Sequence, residues 1–210
     1  MQIEPVSLSG RHVRLEPLQE AHIPALTTAG AYQKLWRWMP FALESERQVR
    51  EFVAGALKMA ERRRALPFTL FAQTTGEVIG ATGYWYIDRH HRRLEIGATW
   101  ITPKWQRSAI NTEAKYLMLK HTFEVFGCIR VEFRVDSLNE KSLAAVRRIG
   151  AQEEGVLRNH MILPDGRKRH SVCFGITDDD WPSVRTRLEA LMATYEGVQC
   201  TPADAAARHG

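Results

Sequence analysis

Hydrophobic and polar residues alternate in several short stretches of this chain, which is the pattern of half-buried β-strands. On this pattern we expect strands at 12–18, 67–73, 77–87, 95–101, 129–136, 151–158 and 170–177. The connection at 74–76 is short and contains glycine, so it predicts a hairpin between the second and third of these strands.

Between these strands, apolar residues recur at the spacing of a helix face. The clearest helix is expected over 44–64, where one face carries Val49, Phe52, Val53, Ala56, Leu57 and Ala60. Further helices are expected over 19–28, 112–126, 139–149 and 178–195. The mixture of element types, with no repeat and no linker, predicts an α/β (α+β) fold with one domain over residues 1–196. The small, polar residues 197–210 are expected to form a flexible C-terminal tail.

Composition and charge narrow the class of protein. The 210 residues are 44% hydrophobic and 25% charged, which is ordinary for one soluble domain with a packed core. The cysteines are odd in number and lack metal-ligand spacing, so we expect no disulfide framework, no metal site and a reducing, cytoplasmic setting. We also expect no signal peptide and no membrane span. The net charge of +5 suits an anionic ligand.

The stretch from residue 94 to 112 carries the strongest chemical signal. A predicted strand runs into a short basic and polar turn, and a helix is expected to begin at Thr112. The unpaired N–H groups at a helix N-terminus converge on one point, and the helix dipole favours negative charge there. The turn therefore predicts a phosphate site, although a plain helix start with Asn111 as N-cap explains the same residues.

Glu95 lies inside the predicted strand that precedes this turn. Alternation places it opposite the expected buried face, which consists of Leu94, Ile96, Ala98 and Trp100. A partly buried carboxylate has a raised pKa and can act as a general base on an ammonium group. The alternative is a solvated strand face on which Glu95 pairs with Arg92, Arg93 or Arg134.

Asn139 and Ser142 stand where the next predicted helix begins. Asn139 as an N-cap accounts for this pair without any further function. Large amphipathic rings lie in the predicted strands and in the loop at 36–40. Such rings build acceptor pockets as well as cores, and the candidates for a pocket are Trp36, Trp38, Tyr84, Trp85 and Tyr86.

Together these motifs resemble the GCN5-related N-acetyltransferases (GNATs), and more narrowly the branch of ribosomal-protein N-terminal acetyltransferases of the RimJ/RimL type. The resemblance covers about residues 8–195. It is carried by the opening at 8–18, Glu95-Ile-Gly-x-x-Trp-Ile, Asn111-Thr-Glu-Ala-Lys, Asn139-x-x-Ser142 with Gly150, and Asp165-Gly166-x-x-Arg169. It implies a mixed, mostly antiparallel sheet flanked by helices, with the fourth and fifth strands splayed.

The resemblance also implies acetyl-CoA as cofactor and direct transfer of its acetyl group to a primary amine, either a protein N-terminus or a small molecule. Glu95 is then the catalytic base and Ser142 the proton donor to the leaving thiolate. Backbone N–H groups, with the hydroxyls of Ser108 and Thr112, are expected to bind the diphosphate. The implied cofactor-binding residues are Trp100, Ile101, Gln106, Arg107, Ser108, Ala109, Ile110, Asn111, Thr112, Asn139 and Lys141. Among the amphipathic rings, we expect Trp36, Trp38, Tyr84 and Tyr86 to bind the substrate, and the resemblance implies a homodimer.

The phosphate turn departs from the family pattern at Ala109, where a small glycine is expected. A methyl group there can be accommodated or can weaken cofactor affinity, which leaves open a non-catalytic, regulatory CoA-binding module. Asn111 takes the last place of the pattern and tolerates a left-handed backbone. Basic clusters at 62–64, 89–93 and 167–170 leave nucleic-acid binding as a further alternative. We expect no nucleic-acid partner, because no groove-reading motif is present.

Overall fold

The computed structural model describes residues 1 and 3–195. The predicted tail at 197–210 and Cys200 lie outside the described residues. The strands are β1 (Leu8–Ser9), β2 (Val13–Pro17), β3 (Leu66–Ala72), β4 (Val78–Asp88), β5 (Arg93–Ile101), β6 (Arg130–Asp136), β7 (Gln152–Ile162) and β8 (Lys168–Thr177). They form one sheet in the order β1-β2-β3-β4-β5-β6-β8-β7.

The helices are α1 (Ile23–Gly30), α2 (Glu46–Glu61), α3 (Ala109–Lys120), α4 (Glu140–Arg148) and α5 (Trp181–Ala193). α3 continues as a π-helical turn over His121–Val125. Neighbouring strands are antiparallel except β5 and β6, which run parallel. The mixed, mostly antiparallel sheet expected from the sequence is therefore confirmed. No helix among the described residues has the length and apolar character that a membrane crossing requires.

All the predicted strands are present, and most of their ends differ from the prediction by one or two residues. β7 runs to Ile162, beyond the predicted end at 158. Its residues 152–159 are all exposed, so the strand lacks the alternation that would have marked its extent in the sequence. β1 was not predicted, since two residues cannot show a period. It pairs Leu8 with Leu15 of β2 at the edge of the sheet.

Two helical layers cover opposite faces of the sheet. The first core cluster packs α3 and α5 on one face and includes Phe68, Tyr84, Ile96, Met118, Val131, Phe174 and Leu188. The second cluster packs α1 and α2 on the other face and includes Leu26, Val49, Val53, Ala81 and Trp100. Among the described residues, the second cluster takes its sheet contacts from β3, β4 and β5 and none from β6 or β8. On that side of the sheet, α1 and α2 therefore do not cover β6 and β8.

A β-bulge interrupts the alternation of β5. Gly97 lies opposite Gly83, whereas Trp100 lies opposite Ala81, so β5 contains one more residue than β4 between these two pairs. Ala98 has φ of 50°, a left-handed backbone that few non-glycine residues adopt. A bulge of this kind bends the strand and increases its local twist.

Because of the bulge, the residues after it point to the opposite face of the sheet from the one that simple alternation predicts. Leu94 and Ile96 belong to the first cluster, but Trp100 is buried in the second cluster and Ile101 in the first. The expectation that Trp100 shares a face with Leu94 and Ile96 is wrong, because one extra residue shifts the alternation by one place. Glu95, which lies between Leu94 and Ile96, faces the same side of the sheet as Trp100.

Glu113 connects the beginning of the chain to helix α3. Its buried carboxylate accepts hydrogen bonds from the backbone N–H groups of Arg11, His12 and Val13, at 2.8, 2.7 and 2.9 Å. These charge-assisted bonds compensate for the desolvation of the carboxylate. The loop before β2 thereby fixes the position of the first turns of α3.

Replacing Glu113 with alanine is expected to lower the free energy of unfolding by about 3 kcal/mol, because three N–H groups, two of them buried, lose their acceptor. Urea denaturation measures this change. The control is Glu51→Ala, which removes an exposed carboxylate that pairs with Arg47 on α2 and is expected to cost less than about 1 kcal/mol. Equal losses in the two variants would contradict the structural role of Glu113.

Candidate active site

β5 and β6 separate soon after they meet. Residues 93–95 of β5 pair with residues 130–132 of β6, and the described chain shows no further pairs between these strands. The following backbone groups of β5 on that side are free of sheet hydrogen bonds. The splayed strands expected from the sequence are confirmed, and Glu95 stands where the opening begins.

The turn at 106–108 joins the open end of β5 to helix α3. The side-chain amide of Gln106 donates to the carbonyl of Ile101 at 2.8 Å. Arg107 is exposed and has a left-handed backbone with φ of 57°. Ser108 is the N-cap of α3, since its Oγ accepts from the N–H of Ile110 at 3.4 Å. The first N–H groups of α3 therefore lie close to the opened end of the strand.

The start of α3 corrects two expectations. The helix begins at Ala109 rather than at Thr112, and Ser108 is its N-cap rather than Asn111. A serine hydroxyl is as good an N-cap acceptor as an asparagine side chain. Because Ser108 precedes Asn111 and caps the helix, α3 begins three residues earlier than predicted. Asn111 lies in the first helical turn and makes no use of a left-handed backbone, which Arg107 adopts instead.

The hydroxyl groups of the turn are used within the fold. Ser108 Oγ donates to the carbonyl of Trp105, and Thr112 Oγ1 accepts from Arg148 Nη2, both at 2.7 Å. Both side chains are buried, and the hydroxyl hydrogen of Ser108 is already used, so binding of phosphate by these hydroxyls stays a prediction. The backbone N–H groups of the first turn other than that of Ile110 offer further donors for phosphate. The methyl group of Ala109 is buried in the first core cluster, where it fills core volume.

Glu95 has features of both roles that the sequence left open, a partly buried base and a partner of an arginine. Its side chain is 13% exposed, and its Oε2 lies 3.4 Å from Arg134 Nε. That oxygen is buried and no described group donates a hydrogen bond to it. Burial raises the pKa of Glu95, and the positive charges of Arg134 and Arg169 oppose the rise. The carboxylate is therefore held by an arginine while it retains the capacity to accept a proton.

The bulged segment makes room for the Glu95 carboxylate. A Cβ atom at Gly97 would lie 2.8 Å from Glu95 Oε1, closer than side chains tolerate. The Gly97 carbonyl accepts from Trp85 Nε1 at 3.1 Å, and Trp85 lies opposite Glu95 in the sheet. The bare backbone at Gly97 and the indole of Trp85 thus form one wall of the candidate site.

The N-terminus of α4 lies at the same edge of the sheet as that of α3, because β5 and β6 run parallel and each leads into one of these helices. Asn139 caps α4, since its Oδ1 accepts from the N–H of Ser142 at 3.2 Å. Ser142 is half-buried and Lys141 is exposed. The hydrogen bond between Arg148 and Thr112 joins the two helices.

Two of the aromatic candidates for an acceptor pocket contact arginines at the charged face of the sheet. This is the side of β5, β6 and β8 that carries Glu95, Glu132, Arg134, Asp136 and Arg169, with Arg167 beside it. Tyr86 is 54% exposed, and the guanidinium of Arg134 lies 5.7 Å from its ring. Trp38 is half-buried, with the guanidinium groups of Arg37 and Arg167 at 4.5 and 5.2 Å from its ring. These contacts are cation–π interactions.

Tyr84 and Trp36 belong to the core instead. Tyr84 is fully buried in the first cluster and donates its hydroxyl hydrogen to the carbonyl of Met118 at 2.8 Å. The expectation that Tyr84 binds substrate is therefore wrong. A second irregularity of β4, at Tyr86 with φ of 50°, separates the environments of the two tyrosines. Trp36 is buried and packs edge-on against Trp100.

Lys115 is a buried charged residue that the sequence did not reveal, because a single lysine in a helix looks like a surface residue. Its Nζ donates to Thr99 Oγ1 at 2.8 Å and to Thr82 Oγ1 at 3.3 Å. Thr99 directly follows the bulged Ala98, so this contact connects α3 to the bulge. Burial lowers the pKa of Lys115 to about 7.

This shift makes the stability of the protein depend on pH. Between pH 7 and 10 the unfolded chain holds a proton on Lys115 that the folded chain has released, so the free energy of unfolding rises with pH. The rise is expected to reach up to about 1.4 kcal/mol per pH unit relative to Lys115→Met, which cannot titrate. Denaturant unfolding of both proteins at several pH values measures it. A constant difference between the two proteins over this range would contradict the burial of a neutral lysine.

The chain matches the family described as Acetyltransferase (GNAT) domain over residues 12–152. A GCN5-related N-acetyltransferase from Brucella melitensis superimposes with a TM-score of 0.83 and 27% identity, covering 90% of this chain and 86% of that one. RimJ of Mycobacterium smegmatis, solved in complex with CoA-disulfide, gives a TM-score of 0.78 and 24% identity, covering 89% and 95%. Spermidine N(1)-acetyltransferase of Escherichia coli (strain K12) is 23% identical over 167 residues, which are 78% of this chain and 85% of that protein.

Proposed function

This chain belongs to the GNAT acetyltransferase family, and we propose that it transfers the acetyl group of acetyl-CoA directly to the nitrogen of a primary amine. Membership of the family makes it an acetyl-CoA-dependent enzyme. The observation that carries the finer proposal is the position of Glu95 where β5 and β6 part, on the strand that leads to the N-terminus of α3. We assign this activity to one domain over residues 1–196.

Acetyl-CoA supplies a thioester whose acetyl group an amine can attack. The residues present fit such a group, because the open edge of β5 offers backbone N–H and C=O groups and the start of α3 offers N–H groups that favour phosphate. Arg107 adds an exposed positive charge beside them. The proposed binding set comprises Trp100, Ile101, Gln106, Arg107, Ser108, Ala109, Ile110, Asn111, Thr112, Asn139 and Lys141, with Ser108 and Thr112 acting through their backbone.

Glu95 is the proposed general base. Most amines are protonated at neutral pH and must lose a proton before they can act as nucleophiles. A carboxylate whose pKa is raised by burial is better matched to this task than an exposed glutamate. Arg134 fixes the orientation of the carboxylate, and Trp85 and Gly97 restrict the space around it.

Ser142 is the proposed proton donor on the thiol side of the site. Its place in the first turn of α4, after the strand that diverges from β5, supports this role. The alternative of a CoA-binding module without catalysis relied on the methyl group of Ala109. Because that group packs into the core, it gives the alternative no support from the structure.

The acceptor is proposed only as a primary amine at this stage. The RimJ/RimL resemblance favours a protein N-terminus, whereas the similarity to a spermidine acetyltransferase favours a polyamine. Release of the CoA thiol from acetyl-CoA in the presence of a panel of amines tests the proposal. Thiol release that depends on an added amine is expected, and its absence with every amine of the panel would count against it.

Glu95→Gln is expected to lower kcat by about 100-fold or more with the amine that the wild-type protein acetylates, because general-base catalysis is worth about 10²–10⁴. The affinity for CoA, measured by calorimetry, should remain unchanged. In the wild-type protein the rate should fall as the pH drops through a pKa above that of an ordinary glutamate. This acidic limb of the pH–rate profile should disappear in Glu95→Gln.

Glu132→Gln is the matched control, because Glu132 lies opposite Glu95 in the sheet and pairs with Arg134 at 3.1 Å. It alters the same charged face without removing the proposed base, so the pH limb should persist. Full turnover by Glu95→Gln at neutral pH would exclude Glu95 as the base.

A further inference from the structure

Arg169 is a buried guanidinium in β8 whose hydrogen-bonding capacity is only partly used. The residue is 6% exposed, and its Nη2 donates to the carbonyl of Arg134 at 3.1 Å. Its Nε is buried and has no hydrogen-bond partner among the described residues. A buried charge without full compensation is costly, so the group calls for an explanation.

The neighbouring arginines of the same charged face differ from Arg169 in having carboxylate partners. Arg134 Nε lies 3.4 Å from Glu95, and Arg167 Nη2 donates to Asp136 at 2.6 Å. In the described part of the chain, no carboxylate oxygen forms an ion pair with Arg169 within 4 Å. Arg169 is thus the buried arginine of this face that has donors left for a ligand.

Arg169 lies within electrostatic reach of the proposed base and of a polar cavity. Its charge opposes the rise that burial produces in the pKa of Glu95. Burial also lowers the pKa of His160, and Arg134 and Arg169 lower it further. His160 lines a cavity of about 780 Å³ together with Arg158, Asn159 and His170. The charge of Arg169 therefore acts on the proposed base and on His160, a residue at this cavity, whose lining includes neither Arg169 nor Glu95.

We propose that the acceptor of this enzyme is an amine that also carries a carboxylate, which Arg169 binds while the amine lies at Glu95. The proposal rests on the function proposed above. A guanidinium presents a planar fork of N–H donors that matches the two oxygens of a carboxylate. A ligand carboxylate supplies the acceptor that the fold does not provide for Arg169.

The same arrangement disfavours polycationic acceptors. Guanidinium groups already lie near the rings of Trp38 and Tyr86, and their positive charges disfavour an alkylammonium group beside the same rings. A polyamine that entered beside Glu95 would also meet Arg134 and Arg169, and like charges at short range repel. Spermidine is therefore expected to be a poor acceptor.

The test uses acceptors in matched pairs in which a carboxylate is replaced by a carboxamide, with kcat/KM expressed for the unprotonated amine because the carboxamide lowers the pKa of the amine. The pairs are L-alanine with L-alaninamide and β-alanine with β-alaninamide, and spermidine represents the cationic extreme. Hydrogen bonds to a charged partner are worth about 10- to 100-fold in binding. At least one acid should therefore be acetylated with a kcat/KM ten-fold or more above that of its amide and above that of spermidine.

Arg169→Gln should reduce the acid-to-amide ratio of kcat/KM to near one. The change should come mainly from a higher KM for the acid, while the kcat/KM of the amide changes little. Arg169→Lys keeps the charge without the planar fork and should show an intermediate ratio. Arg185→Gln is the control, since it removes one arginine charge from α5, where Arg185 pairs with Glu124 and Glu189 outside the site. Its ratio should equal that of the wild-type protein.

Calorimetric titration of the CoA-loaded protein with the same pairs decides the proposal independently of turnover. The acids should bind ten-fold or more tightly than the amides to the wild-type protein, and equally to Arg169→Gln. Acids and amides that bind or react alike in the wild-type protein, or spermidine as the preferred acceptor, would overturn the carboxylate proposal and leave the acetyltransferase assignment intact. Failure to bind CoA, or to acetylate any amine, would instead count against the proposed function.

Discussion

The bulge at Ala98 is the constraint on which the candidate site depends. One extra residue in β5 bends the strand away from β6, so the parallel pairing ends at Glu95 and an open backbone edge follows. The same residue turns Trp100 toward the layer of α1 and α2, on the side that Glu95 faces. Lys115 of α3 contacts Thr99 directly behind the bulge, which connects this distortion to the helix that begins at the turn.

The buried charges in the described part of the chain fall into two groups. Glu113 has three backbone donors, Lys115 has two hydroxyl partners and Asp136 pairs with Arg167, so the fold itself provides for these groups. Glu95 and Arg169 each retain a buried polar atom without a hydrogen bond. Proteins satisfy buried polar groups almost everywhere, and exceptions concentrate where a ligand or a proton is handled. Trp100 Nε1 and Trp105 Nε1 are also unpaired, but Glu95 and Arg169 are the charged members of this set, and we assign them to the acceptor side of the proposed site.

Periodicity and motif order predicted the strands, the long helix α2 and the splayed strand pair, because each of these depends on local pattern or on the resemblance. The sides of Trp100 and Tyr86 were not predictable, since a bulge leaves no mark in a simple alternation. The N-cap of α3 was misplaced because Ser108 and Asn111 are equally good caps on sequence grounds. Tyr84 and Lys115 could not be placed at all, because burial depends on contacts between elements that are distant in the chain.

Hydrogen exchange of the backbone amides is the decisive experiment, because it reports on the N–H groups that are proposed to bind the cofactor. The protein is compared with and without CoA at concentrations up to about 1 mM, the range of weak binding. We expect slower exchange at 106–112 and at the end of β5, with unchanged exchange in α5. Unchanged exchange at 106–112 in the presence of saturating CoA, or no binding of CoA at all, would contradict the proposed cofactor site.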